Sequence, residues 1–292
     1  MPPLINYNSS HELRAFMEEK GLGMRKKFGQ NFLINPSVRT RLLDSLELFP
    51  GSRVWEIGPG LGAMTAGLLE RGGNVTAFEI DSAFAHALMN FFGSEKKFKL
   101  IEGDVLKTWP GVPVDDGQDL FLFGNLPYNI AAVLLADFIE KGRLFKRMVV
   151  TVQREVALRM AAKPGTADYS SFSVVCSSIY KVKLLQIIKS SSFFPPPRVD
   201  SQGVRLDLDP LRAQLPVLFF PLVRSLFSSR RKIVRNTLSA FASSFIMRNP
   251  RELAEDALKK AGISGERRPE TLEINEFAAL AAYLEDFVSH GH

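Results

Sequence analysis

Arg53-Val54-Trp55-Glu56-Ile57-Gly58-Pro59-Gly60-Leu61-Gly62 is a short, largely apolar run that breaks into a glycine cluster and then opens a helix-forming segment. A glycine cluster is informative only in such a strand-to-helix context. Here the glycines would let the backbone pass close to a bound molecule. Their spacing, Gly-x-Gly-x-Gly, lacks the extra residue of the dinucleotide fingerprint Gly-x-Gly-x-x-Gly, so a pyrophosphate is not the expected ligand. Downstream, Asn74–Ile80, Phe98–Glu102, Leu120–Phe123 and Met148–Gln153 are further short apolar runs separated by helix-length segments. Strands alternating with helices predict βαβ units and a parallel α/β sheet. Two later strand-like stretches, Val182–Lys189 and Val204–Leu208, follow a helical segment at Tyr169–Tyr180 and extend a sheet edge.

Upstream, Ser9-x-x-Glu12 reads as a capping box for a short helix ending at Gly21, and Asn35-Pro36 as the cap and first position of a second helix through about Leu48. After Asp209-Pro210 the pattern turns helical throughout: Val217–Phe227, Lys232–Phe245, Pro250–Ala261 and Asn275–Val288, the last with Phe277, Leu280, Ala281 and Leu284 on one face. The expected organisation is an N-terminal arm (1–35) contributing to the cofactor site, a sheet domain (36–209) and a smaller all-helical, basic RNA-binding domain (210–292).

Composition narrows the function classes. The 292 residues are 46% hydrophobic and 23% charged, which argues against wholesale disorder. The longest run free of polar groups, Leu215 to Val223, has nine residues and two prolines, well short of the roughly 20 that span a membrane. The first residues lack the order of a secretion signal, and one cysteine, Cys176, with four scattered histidines offers no disulfide and no metal cluster. A cytoplasmic, metal-free monomer is the expectation. The net charge of +6 is unevenly spread: six basic residues and no acid lie between Lys20 and Arg41, and eight with no acid between Asp209 and Glu252. So long a stretch without a counter-charge predicts a polyanion partner. Lys26 and Lys27 in the arm and Arg230, Arg231, Lys232 and Arg235 in the helical domain are the candidate RNA-binding residues.

Three features at successive strand ends describe a nucleoside pocket without phosphate recognition. The glycine loop is led by Gly58 and Gly60, Glu79 lies 21 residues after Gly58 where a carboxylate accepts ribose hydroxyls, and Asp104 follows the third strand where it can accept from an adenine amino group. Together they point to S-adenosylmethionine (SAM). At the end of the fourth strand, Asn125-Leu126-Pro127-Tyr128 offers an amide oxygen and a main-chain carbonyl that can both accept from an exocyclic amine, and an aromatic face for stacking a base. A second face is expected from Phe193, framed by Pro195, Pro196 and Pro197.

Lys26-Lys27-Phe28-Gly29-Gln30-Asn31-Phe32-Leu33, the Glu56–Gly62 loop, Asn125–Tyr128 and Phe193-x-Pro195-x-Pro197-x-Val199 resemble the rRNA adenine N6-dimethyltransferase family, and Phe227-x-x-Arg230-Arg231-Lys232-x-x-x-Asn236-x-Leu238 is similar to its small-subunit branch. The resemblance runs from about Arg25 to the C-terminus. It implies a Rossmann-like SAM-dependent methyltransferase sheet with a small helical domain, and methylation of two adjacent adenosines near the 3′ end of small-subunit (16S) rRNA. It further implies that Asn31, Leu33, Gly58, Glu79, Asp104 and Asn125 line the SAM site, and that Tyr128 and Phe193 stack the target base. A large-subunit (23S) dimethyltransferase of the antibiotic-resistance type is the nearest alternative. A hydride-transferring dehydrogenase would need the dinucleotide glycine spacing, and a non-catalytic nucleic-acid binder would not need an intact Asn125 or SAM loop.

Overall fold

The computed structural model describes residues 5–23, 29–113, 119–210, 214–229, 231–245 and 249–289. Among the described residues nine strands form: β1 (Phe32–Leu33), β2 (Arg53–Ile57), β3 (Asn74–Glu79), β4 (Phe98–Glu102), β5 (Leu120–Asn125), β6 (Arg147–Gln153), β7 (Tyr180–Ile188), β8 (Phe193–Phe194) and β9 (Ser201–Leu208). Seven of them make one sheet in the order β4-β3-β2-β5-β6-β9-β7, while β1 and β8 pair separately. β2 lies parallel to both β3 and β5, and β4 and β6 continue the parallel set; β9 runs antiparallel to β6. The strand order reverses between β2 and β5, and because β2, β3, β4 and β5 are all parallel their carboxyl ends open on one edge. That edge is where open α/β sheets take ligands. The expected methyltransferase-type α/β sheet with a smaller helical part is the architecture found.

The helices interleave as α1 (Ser10–Glu19), α2 (Pro36–Asp44), α3 (Ala63–Glu70), α4 (Ser82–Phe92), α5 (Val105–Thr108), α6 (Ala131–Glu140), α7 (Arg154–Met160), α8 (Ser171–Ile179), α9 (Phe219–Phe227), α10 (Val234–Ala242), α11 (Pro250–Ala261) and α12 (Ile274–Ser289). Local chemistry sets several of their starts. The Ser9 hydroxyl accepts from the Glu12 N–H at 3.2 Å, and the Asn35 side chain accepts from the Val38 N–H at 3.1 Å ahead of Pro36. The second helix is shorter than the pattern predicts: it ends at Asp44, and Glu47 turns left-handed at φ 53°. At the other end of α11, Gly262 caps at φ 68°.

The chain divides into two compact units, one comprising 1–157 and 182–208, the other 158–181 and 209–292. One expectation needs correcting. Residues 158–181, expected within the sheet domain, group with the C-terminal helices. The reason is packing: Tyr169 and Val174 sit in one apolar core with Phe219, Leu222, Phe277 and Leu280, and the Tyr169 hydroxyl donates to the Leu272 carbonyl at 3.0 Å. The arm, expected to contribute to the cofactor site, groups with the sheet, because Ile5, Leu13 and Met17 bury themselves beside Leu61, Phe84 and Phe194. The predicted face of α12 holds, with Phe277, Leu280, Ala281 and Leu284 all buried.

Candidate active site

One cavity at the carboxyl edge of the sheet gathers Asn31, Leu33, Gly58, Gly60, Glu79, Asp104 and Asn125, every cofactor residue expected from the sequence, together with Pro127. Gly58 and Gly60 hold φ of 66° and 58°, the left-handed region open to glycine. Gly60 has a second reason to lack a side chain: a Cβ there would lie 2.8 Å from the Phe32 ring, which also lines the cavity. The loop is thus shaped by close packing against β1 as well as by its ligand.

The acids are placed by main-chain bonds. Glu79, buried at the end of β3, accepts from the Gly60 N–H at 3.1 Å and the Asp81 N–H at 2.9 Å, which ties the glycine loop to the next strand. Asp104 caps α5 by accepting from the Leu106 N–H at 3.1 Å through Oδ1. Glu56, only 1% exposed, accepts from the Thr65 hydroxyl at 2.6 Å at the base of the same cavity. Burial raises the Glu56 carboxyl to about 8, aided by the nearby Glu79, and burial raises Glu79 to about 7. From an ordinary value of 4.5, both carboxyls keep their protons in the folded chain after the unfolded chain has lost them. Stability of the cofactor-free protein should therefore fall as pH rises from about 4.5 to about 8, by up to roughly 1.4 kcal/mol per pH unit and group. Denaturant titrations across that range check this, and Glu56→Gln should flatten the slope. A parent protein of constant stability over the window would contradict it.

Asn125 at the end of β5 is locked by two partners. Its Nδ2 donates to the Asn31 carbonyl at 2.7 Å, and its Oδ1 accepts from the Thr151 hydroxyl. Because a main-chain carbonyl can only accept, the amide has one orientation, and the oxygen keeps one of its two lone pairs. Thr151 stands opposite Asn125 in the β5–β6 register, and its carbonyl accepts from the Leu126 N–H at 3.1 Å. Nothing in the linear sequence marks Thr151; its role comes from strand pairing across 26 positions. Tyr128, half-buried, is pinned at its hydroxyl by Ser201 at 2.7 Å, and burial raises its phenol above the usual range.

Phe193 departs from expectation. Its ring is 2% exposed, packed in the core beside Leu33, Val38 and Ile188, and it does not line the cavity. The antiparallel pairing of Phe193 with Leu33 turns the side chain inward. The proline frame does hold an aromatic rigidly, but as core. Phe193→Ala should cost about 3–5 kcal/mol of stability, read as a lowered denaturation midpoint; a midpoint unchanged from the parent would return the ring to the pocket mouth.

The basic residues are only partly brought together. Lys26, Lys27 and Arg230 lie outside the described residues. Arg231 and Lys232 are exposed in the turn before α10, which begins at Val234 behind an extended Ile233, so Arg231 and Arg235 do not share a helix face as expected. Arg235 pairs with Glu266 at 2.7 Å and with Glu255 at 3.9 Å, whereas Arg231 and Lys232 form no ion pair among the described residues.

Comparison with known proteins decides the lineage. The family model described as ribosomal RNA adenine dimethylase matches residues 21–286. The chain belongs to that family. A Treponema denticola protein described as ribosomal RNA small subunit methyltransferase A is 43% identical over 293 residues, spanning 99% of this chain and 97% of its own length. A Borreliella burgdorferi protein of the same description is 39% identical, with 97% and 96% covered. Among solved structures, a dimethyladenosine transferase from Plasmodium falciparum superposes with a TM-score of 0.74 at 26% identity, covering 86% of this chain and 96% of the other. The 23S rRNA methyltransferase ErmE superposes at 0.62 with 22% identity over 87% of this chain and 99% of its own, a likeness of fold alone. The expectation of a SAM-dependent rRNA adenine dimethyltransferase is borne out. The cavity fits that cofactor on its acceptor set: the acids Glu79, buried, and Asp104, half-buried, after two successive strands, with a glycine turn and apolar walls from Phe32, Ile80 and Val105.

Proposed function

We propose that this chain dimethylates N6 of two adjacent adenosines near the 3′ end of small-subunit rRNA during ribosome biogenesis, with Asn125–Tyr128 as the reacting segment. The observation that carries the reading is the Asn125 amide, held in one orientation by Asn31 and Thr151 at the mouth of a cavity lined by Gly58, Glu79 and Asp104. Bound SAM supplies a methyl group on an electrophilic sulfonium. Glu79 accepts the ribose hydroxyls, and the Asp104 oxygen not used in capping α5 accepts an amino group. The remaining lone pair of Asn125 Oδ1 and the Leu126 carbonyl accept the two hydrogens of the target amine, which turns its lone pair toward the methyl group. Pro127 stiffens the segment and Tyr128 stacks the base, with its charge-stabilising face against a nitrogen that becomes cationic. No general base is required at the outset, since the amine sheds its proton after it is alkylated.

Arg231 and Lys232 then meet rRNA phosphates, which position the enzyme without choosing a base. Changing both to Ala should leave SAM affinity unchanged and make the salt dependence of RNA binding shallower by roughly 0.7–0.9 in log–log slope per lost contact. A lower melting temperature with an unchanged slope would instead assign them a structural role. Arg235→Ala, by its ion pairs with Glu266 and Glu255, belongs to that structural class. The substrate itself is tested with separated ribosomal subunits and methyl-labelled SAM: label enters small-subunit rRNA on this reading, and label confined to large-subunit rRNA would support the resistance-type alternative.

A further inference from the structure

The arm that precedes the Phe28–Leu33 motif supplies a wall of the cofactor cavity. Tyr7 and Leu13 line it beside Gly58, Glu79 and Asn125. The Tyr7 hydroxyl donates to the Leu61 carbonyl at 2.9 Å, inside the glycine turn. The Tyr7 carbonyl in turn accepts from the Arg39 guanidinium at 3.3 Å; the same guanidinium donates to the Leu33 carbonyl at 2.8 Å and to the Asn8 side-chain oxygen. Arg39 thereby fastens two cavity-lining segments, the arm and β1, to α2. The arm is also packed: Ile5, Leu13 and Met17 share an apolar cluster with Leu61 of the turn and with Phe84. Burial raises the Tyr7 phenol, and the nearby Glu56 carboxyl raises it further, so the hydroxyl stays a proton donor at any working pH.

We propose that Tyr7 is a cofactor-positioning residue: its ring closes one side of the cavity, its hydroxyl holds the Leu61 carbonyl so that the glycine turn keeps its shape around the cofactor, and Arg39 seats it. The proposal rests on the assignment of this cavity to SAM. A residue of this kind acts on how tightly and how long the cofactor is held, and not on the transfer step. Tyr7 therefore contributes to the cofactor site from a position upstream of residues 21–286, the stretch that the family model matches.

SAM binding and release by the full chain test this, measured on the parent, Tyr7→Phe, Tyr7→Ala and Arg39→Lys. Loss of the one hydroxyl in Tyr7→Phe should weaken SAM binding about fivefold, and Tyr7→Ala should weaken it by about tenfold or more with faster release. Arg39→Lys, which keeps the charge but not the planar fork that joins the Tyr7 and Leu33 carbonyls to the Asn8 side chain, should follow Tyr7→Phe. In steady state KM for SAM should rise while kcat at saturation stays within about twofold of the parent. Parental affinity and release in both Tyr7 variants, or a fall in kcat at unchanged KM, would overturn the proposal; if Tyr7→Ala fails to fold, Tyr7→Phe decides. Parental affinity in Glu79→Ala as well would overturn the cavity assignment beneath it, which separates the two failures.

Discussion

Replacing Asn125 with Ala is expected to lower methyl transfer by about 100-fold or more while leaving a folded protein that still binds SAM. The size of the effect follows from orientation: the target amine loses the acceptor that turns its lone pair toward the methyl group, and small misplacements of reacting atoms cost about two orders of magnitude. Truncation also leaves the Thr151 hydroxyl and the Asn31 carbonyl without their partner, at about 1–3 kcal/mol of stability. Such a cost is a fraction of the 5–15 kcal/mol of an ordinary domain. Single-turnover transfer to small subunits reads the loss. Thr151→Val is the graded companion, since it keeps the shape of the strand but removes the donor that orients the Asn125 oxygen, and a five- to tenfold loss of about one hydrogen bond is expected. Near-parental turnover by Asn125→Ala would mean that another group orients the amine.

Glu79→Ala should weaken SAM binding at least tenfold. A carboxylate that accepts ribose hydroxyls contributes about 1.5–3 kcal/mol, and here the same carboxylate also takes the Gly60 and Asp81 N–H groups, so its loss slackens the glycine turn as well. Because burial places Glu79 near 7, the affinity of the parent should increase as pH rises through that value and the acceptor ionises, and Glu79→Gln should abolish the trend. Calorimetry showing unchanged affinity in Glu79→Ala would remove the ribose assignment.

The centre of the sheet is legible in the chain because β2, β5 and β6 are parallel and largely buried, so each reads as a mainly apolar run between helix-length segments. Arg53–Ile57, Phe98–Glu102 and Pro250–Ala261 have the bounds that the pattern predicts. The cofactor residues were legible for a related reason: in this topology, residues at successive strand ends converge on one edge, so position along each strand is enough to gather Gly58, Glu79 and Asp104. What was not legible depends on contacts distant in sequence. Thr151 reaches Asn125 only through strand register, and Tyr7 reaches Leu61 across 54 positions with no motif around it. Glu56 did carry a signal, a lone acid inside an apolar strand, but a strand position alone does not reveal the Thr65 hydroxyl that partners it. Phe193 misled because a proline-framed aromatic looks like a pocket rim, whereas pairing with Leu33 decides which way the ring points. The same holds for Tyr169, whose segment reads as part of the sheet domain until its packing against Phe227 and its bond to Leu272 are seen.

The atoms that receive the methyl groups distinguish this enzyme's reaction most directly. Small ribosomal subunits lacking the modification, incubated with this protein and SAM, can be digested and their rRNA mapped by mass spectrometry. The expected result is two neighbouring N6,N6-dimethyladenosines near the 3′ end of the small-subunit rRNA, absent when Asn125→Ala replaces the parent. Small-subunit rRNA left unmethylated, or methylated at an atom other than N6, would contradict it.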